Sequence, residues 1–92
     1  MKTIRLFATV RDVVGSKKLQ VPFNGGGTVR DLIEVIRGES PALAAKLLDE
    51  HGELSTLVHI YVRGRNVEWL DGLDTVIADK DEVFIVPPIA GG

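Results

Sequence analysis

The hydrophobic period of this 92-residue chain changes from two to about 3.6 and back to two, which limits the folds open to it. Residues 2–10 alternate, with Ile4 and Leu6 on one side and polar residues mostly on the other, and this pattern predicts a half-buried strand. A turn is predicted over 13–17. A second alternating segment, 18–21, then completes a hairpin.

Two helices are predicted next, and both have sequence signals at their starts. Residues 28–31 (Thr-Val-Arg-Asp) resemble a capping box with Asp in place of the usual Glu. Apolar residues then follow at the spacing of one buried helical face: Val29, Leu32, Ile33 and Ile36. Gly38 is predicted to end this helix. Ser40 and Pro41 have the residue types of an N-cap and first helical position, so they predict a second, short helix through Leu48.

The period returns to two from Val58 onward, which predicts that the chain returns to a sheet. A strand over 58–63 is followed by a turn, a short strand over 67–69 and a final strand over 82–86. Trp69 is expected to pack inside the protein. The order is therefore strand, strand, helix, helix, strand, short strand, strand. Periodicity alone leaves several α+β arrangements open.

Composition excludes several classes of function. The net charge is −2 and the 11 Lys and Arg residues are scattered along the sequence, so no nucleic-acid surface is predicted. The absence of cysteine excludes a disulfide framework and any Cys-ligated metal site. No segment has the roughly 20 apolar residues of a membrane span or the apolar run of a signal peptide, so no membrane association and a cytoplasmic location are expected.

No catalytic machinery is predicted in this chain. The two histidines, His51 and His59, are expected on different elements, and neither is matched with the acid or Cys that a catalytic base or metal ligand would need. The glycine triplet 25–27 lacks the Lys-Ser/Thr of a phosphate-binding loop and is interpreted as a loop. The acidic residues over 79–82 are expected to form a solvated turn, since further oxygen ligands for a metal are missing around them.

The last seven residues, Val86-Pro87-Pro88-Ile89-Ala90-Gly91-Gly92, form the most informative segment for function. Two prolines keep a segment extended, and glycine has no Cβ, so such an end can enter a narrow channel. A terminal Gly-Gly by itself would also suit a frayed terminus. The whole ending, however, resembles that of the MoaD branch of the ubiquitin-like sulfur carriers.

The resemblance extends through most of the chain. It includes Ile4–Ala8 with Arg11, Thr28–Leu32, Val62–Gly64 and Leu70–Thr75. Two positions depart from the family pattern: Lys80 stands where the family often has Gly, and Arg63 stands where Asn is common. Both departures concern turns or partner choice, and neither lies in the tail.

The resemblance implies an α+β, β-grasp (ubiquitin-like) fold, with a mixed sheet of four to five strands on one main helix and a second short helix. The domain is expected over 1–86, and 87–92 are expected to form a flexible tail. The resemblance also implies that a MoeB/ThiF-type enzyme uses ATP to adenylate the carboxylate of Gly92, which then becomes a thiocarboxylate. The chain itself would bind no cofactor. The expected tail residues in the partner's channel are Pro87, Pro88, Ile89, Ala90 and Gly91.

The sheet face turned away from the helices is expected to dock partners. In MoaD-type proteins an aromatic residue at the position of Phe7 and an apolar residue at that of Val86 contact the activating enzyme and the catalytic partner. Side chains alternate between the two faces along a strand, and this alternation, which we call parity, places further side chains on the same face. Scattered surface hydrophobics would give a similar pattern. The predicted partner-binding residues are Phe7, His59, Tyr61, Arg63, Phe84 and Val86.

Several functions share the activated tail. The leading hypothesis is the small subunit of molybdopterin synthase, which acts with a larger MoaE-like subunit. The alternative is a ubiquitin-like modifier joined through Gly92 to target-protein lysines, or a sulfur donor for tRNA thiolation. A thiamin-pathway carrier is disfavoured, because those chains usually lack room for the second helix. In the remaining hypothesis, a non-enzymatic interaction module, the tail would be incidental.

Overall fold

The computed structural model describes residues 1–87, which form a five-stranded mixed sheet with three α-helices. The strands are β1 (Lys2–Leu6), β2 (Lys18–Val21), β3 (His59–Val62), β4 (Arg65–Asn66) and β5 (Val83–Val86), and the helices are α1 (Thr9–Val14), α2 (Val29–Glu39) and α3 (Pro41–Leu47). The order across the sheet is β2-β1-β5-β3-β4. Only β1 and β5 pair in parallel; the other neighbours are antiparallel.

The hydrophobic core lies between the sheet and the helices. Alternate residues of the strands face it, among them Ile4 and Leu6 of β1 and Val83 and Ile85 of β5. The buried face of α2 contains the four apolar residues that its spacing predicted, Val29, Leu32, Ile33 and Ile36. A hairpin, a helix across it and a last strand inserted between β1 and β3 define a β-grasp fold, so the predicted fold class is confirmed. Among residues 1–87, no helix has the length and apolar character needed to cross a bilayer.

The starts of α2 and α3 follow the sequence signals. The backbone N–H of Asp31 donates to Thr28 Oγ1 at 3.3 Å, and the N–H of Thr28 donates to Asp31 Oδ2 at 3.0 Å, which completes the capping box. The hydroxyl of Ser40 accepts from Leu43 N at 3.3 Å, and Pro41 opens α3. Gly38 does not end α2, because the helix continues to Glu39 and the backbone N–H of Ser40 still donates to Ile36 O.

The predicted strand over 2–10 is wrong beyond Leu6. Ala8 has a φ of 52°, which turns the chain away from the sheet, and α1 follows where the end of the strand and a turn were predicted. Val10 is buried as part of this helix and not as part of a strand. A short helix can therefore bury the same residue that strand alternation would bury, and the period does not distinguish the two.

The predicted strand over 67–69 is also wrong, since these residues form a 3-10 helix after the two-residue β4. Asn66 Oδ1 accepts from the backbone N–H of Glu68 at 3.0 Å, as an N-cap does, and this starts the helical turn. Trp69 is 81% exposed, so the expectation that it packs inside is wrong.

Candidate functional site

Four of the predicted partner-binding side chains lie together on the face of the sheet opposite the helices. β3 and β5 pair in antiparallel register, with His59 opposite Val86 and Tyr61 opposite Phe84. Paired residues share a face, and the alternate residues Ile60 and Ile85 are buried on the helix side. These four side chains are therefore only partly buried, and they occupy the centre of the open face.

Phe7 joins this group although it lies just beyond β1. Its backbone N–H donates to Ile85 O at 3.2 Å, which extends the pairing of β1 with β5 by one residue. Its ring meets that of Phe84 edge to face, with centroids 5.7 Å apart and an angle of 87° between the planes. We call Phe7, Tyr61, Phe84 and Val86 the apolar cluster. Such a contiguous apolar surface on an open sheet is suited to contact with another protein.

His59 forms a polar border to the apolar cluster. Its Nδ1 is buried and has no hydrogen-bond partner among residues 1–87. The closest carboxylate oxygen, Oε1 of Glu68, lies 3.9 Å away, beyond hydrogen-bonding distance. The missing hydrogen bond is costly for a buried polar atom, and Nδ1 is not accessible to a partner that covers this border.

Arg63 does not share the open face with the other predicted residues, and for it the parity argument is wrong. β3 ends at Val62, and Arg63 follows in a turn with a φ of 55°. Its guanidinium Nη1 donates to Asp81 Oδ2 at 2.5 Å and to Val76 O at 3.2 Å. The side chain therefore contributes to the structure of the loop before β5.

Asp81 is buried rather than solvated, which corrects the expectation for this acidic turn. Its carboxylate accepts from the backbone N–H of Ala78 at 2.8 Å as well as from Arg63. The hydrogen bond from Ala78 and then the contact with Arg63 lower the pKa of Asp81 below its ordinary value of 3.8. The ammonium of Lys2, also buried, donates to the carbonyl oxygens of Ala78, Asp79 and Asp81 at 2.7–3.0 Å. This hydrogen-bonded loop fixes the position at which β5 begins.

The free energy of unfolding is expected to decrease as the pH falls below about 4, in part because of Asp81. A group whose pKa is lowered by folding stabilises the folded state fully above its unfolded value, here 3.8, and loses that contribution as the pH falls through its folded value. Thermal melts from neutral to strongly acidic pH should show that Asp81→Asn is less stable at neutral pH and has a smaller acid-dependent loss. Parallel curves for the two proteins would contradict this prediction.

The described part of the chain ends beside the apolar cluster. β5 lies between β1 and β3, it ends at Val86, and Pro87 is half-buried after it. The predictions for Pro88, Ile89, Ala90, Gly91 and Gly92 lie outside the described residues. A protein that binds the chain at this end of β5 can contact the apolar cluster at the same time.

Sequence reasoning missed a group of basic residues beside Phe7. Arg5, Arg11, Lys17 and Lys18 line an open hollow with Leu6 and Phe7. They appeared scattered because a helix lies between β1 and β2 in the sequence. The hairpin register places Lys18 opposite Arg5, and α1 brings Arg11 to the same hollow. Among residues 1–87, no group of three or more His, Asp or Glu side chains is placed to hold a metal ion.

Comparison with known proteins gives matches over nearly the whole chain. A model described as the ThiS family matches residues 4–92. Small archaeal modifier protein 3 of Haloferax volcanii is 38% identical over 89 residues, which are 97% of this chain and 96% of that protein. In the crystal structure of the Amycolatopsis orientalis BexX/CysO complex, one chain matches with a TM-score of 0.81 and 26% identity over 100% of both chains. A putative molybdopterin converting factor, subunit 1, from Pyrococcus furiosus has a TM-score of 0.71 and 28% identity over 95% of both chains.

Proposed function

Because this chain belongs to the ThiS family of ubiquitin-like sulfur carriers and modifiers, we propose that it carries sulfur as a thiocarboxylate on Gly92 for molybdopterin synthesis. One observation carries this proposal: the family match continues through residue 92, so it includes the Gly91-Gly92 end as well as the folded domain. The apolar cluster at the tail exit supports it, since a carrier must present its terminus and a docking surface together.

The chemistry requires activation because a carboxylate is a poor electrophile. A terminal oxygen of Gly92 attacks the α-phosphorus of ATP, pyrophosphate leaves, and an acyl-adenylate forms. Hydrosulfide or an equivalent sulfur donor then attacks the acyl carbon, AMP leaves, and a thiocarboxylate remains. The chain has no cysteine, so this terminus is where it can hold the sulfur.

The catalytic groups for these steps belong to partners in this proposal. A MoeB/ThiF-type enzyme binds ATP and adenylates the tail, and the chain itself holds no cofactor. A larger, MoaE-like synthase subunit then accepts the loaded tail. The likeness to a protein described as a putative molybdopterin converting factor, subunit 1, favours this destination.

A second candidate function is protein modification. It is favoured by the 38% identity, over almost the full length of both chains, with small archaeal modifier protein 3. The first step is the same adenylation of Gly92. The amine of a target lysine would then replace the sulfur donor and form an isopeptide bond. Delivery of sulfur to tRNA is a further destination for the same thiocarboxylate.

Intact-mass measurement after co-expression with the cognate adenylating enzyme tests the proposal. We expect the mass increase of one oxygen-to-sulfur exchange, localised to the C-terminal peptide, and no increase in the chain expressed alone. Conjugates linked through Gly92 to lysines in the same cells would favour the modifier function instead. An unchanged mass together with no conjugates would contradict both.

A further inference from the structure

A second feature of the open face is the group of basic side chains beside Phe7. Arg5 on β1, Arg11 on α1, Lys17 and Lys18 border an open hollow of about 210 Å³, and all four are exposed. We call these four residues the basic cluster. Among residues 1–87, none of the four has a carboxylate oxygen within ion-pairing distance, since the ion pairs in this part of the chain involve other residues.

The register of the hairpin makes this cluster unfavourable in the isolated protein. Arg5 and Lys18 lie directly opposite each other in the antiparallel pairing of β1 and β2. Like charges at directly opposed positions destabilise a sheet. Both residues also border a second hollow with Asp79 and Glu82, but neither carboxylate forms an ion pair with them in the described part of the chain. An anion from outside the chain would relieve the repulsion.

The basic cluster is continuous with the apolar cluster through Phe7. Phe7 lines the hollow with the four basic residues and also packs its ring against Phe84. A protein that covers the Phe7 ring must therefore also exclude water from the nearby cations. Since unpaired charges are costly to desolvate, such a partner needs carboxylates at matching positions.

We propose that the basic cluster binds a carboxylate-rich patch on the protein that receives the C-terminal tail. That this protein receives the tail rests on the proposed function. That its contact surface carries carboxylates is inferred from the charges of this chain alone. A nucleic acid is the less suitable occupant, because the chain as a whole has a net charge of −2 and would repel a long polyanion. The cluster would guide the two proteins together and orient the tail towards its channel.

Charge reversal at Lys18 gives two expected effects of opposite sign. In Lys18→Glu, the repulsion of Arg5 becomes an attraction, so the melting temperature should rise by about 1–5 °C. The rate of association with the adenylating enzyme, measured by stopped flow at low salt, should fall about tenfold and depend less on salt. A residue with only a structural role would not separate stability from association in this way.

Lys46→Glu is the matched control, because Lys46 is exposed on α3, on the helix side of the sheet, and the charge change is the same. The rate at which Lys46→Glu associates with the adenylating enzyme should change by less than about twofold. An association rate of Lys18→Glu equal to that of the control would overturn the proposal.

A titration with hexaglutamate, followed by amide NMR shifts, tests the surface without any enzyme. Saturable shifts should appear around Arg5, Arg11 and Lys18, and they should persist in a chain that lacks Gly92. Binding that persists without Gly92 separates this proposal from the carrier function, which requires Gly92. Saturable shifts with inorganic phosphate, under conditions in which hexaglutamate gives none, would show a small-anion site and overturn the proposal.

Discussion

Deletion of Gly92 is expected to abolish ATP–pyrophosphate exchange by the adenylating enzyme while leaving the fold of the chain intact. The loss of one residue moves the terminal carboxylate by about 3.5 Å along an extended tail. A displacement of about 1 Å can reduce the rate of a positioned reaction about 100-fold, so exchange should fall by at least that factor. The melting temperature should stay the same, because Ile85 is the last fully buried residue of the described chain.

Two further variants separate tail length from tail composition. One glycine added after Gly92 should be as inactive as the deletion, since it moves the carboxylate in the other direction. Ala90→Gly keeps the length and the terminus and should exchange at nearly the wild-type rate. Undiminished exchange by the chain without Gly92 would contradict the carrier and the modifier functions together.

The elements that could be predicted from the sequence are those in which local signals and burial agree. α2 has both a capping box at Thr28 and a buried stripe at helical spacing, and the structure confirms both. β3 and β5 have strict alternation, and their pairing through Tyr61 and Phe84 confirms it. The open face could therefore be located from parity alone.

The elements that could not be predicted depend on tertiary contacts or on short local turns. Residues 8 and 10 continue the alternation of β1, and only the positive φ of Ala8 shows that the chain has left the sheet. Arg63 continues the alternation of β3 in the same way but lies in a turn, where its left-handed backbone suits the Asn that the family often has. Beyond the end of a strand, alternation holds at Phe7, where the pairing with β5 continues, and fails at Arg63, where the chain turns.

The basic cluster and the glycine triplet show a second reason for what was missed. Arg5 and Lys18 are 13 positions apart in sequence, and they become neighbours only through the β1–β2 register. Similarly, Gly25 was interpreted only as a loop residue, yet a Cβ there would collide with the backbone of Asp79. Both features depend on residues distant in sequence, so periodicity does not report them.

Phe7→Asp is expected to weaken binding of the adenylating enzyme strongly while leaving the protein folded. A carboxylate at a desolvated aromatic contact should cost about 2 kcal/mol or more, which is roughly a 30-fold increase in Kd. Because Phe7 is 38% exposed as a residue, the variant loses mainly the edge-to-face contact with Phe84, worth about 1 kcal/mol. Calorimetric titration should measure the first effect, and a circular dichroism melt should show a decrease of about 4–8 °C.

Ile85→Asp is the matched control because the two residues are joined by a backbone hydrogen bond but have opposite environments. The N–H of Phe7 donates to Ile85 O, whereas the Ile85 side chain is fully buried on the helix side. The lost Ile85 packing and a carboxyl group buried in its place should together cost several kcal/mol, which is comparable with the roughly 5–15 kcal/mol that stabilises a domain, so the chain should be largely unfolded. If Phe7→Asp also unfolds the chain, Phe7 belongs to a core and not to a contact surface. If the variant stays folded and binds the enzyme as tightly as the wild type, Phe7 is not part of a docking surface. If Phe7→Asp keeps its fold but loses binding, whereas Ile85→Asp loses its fold, then the open face is a contact surface and not a second hydrophobic core.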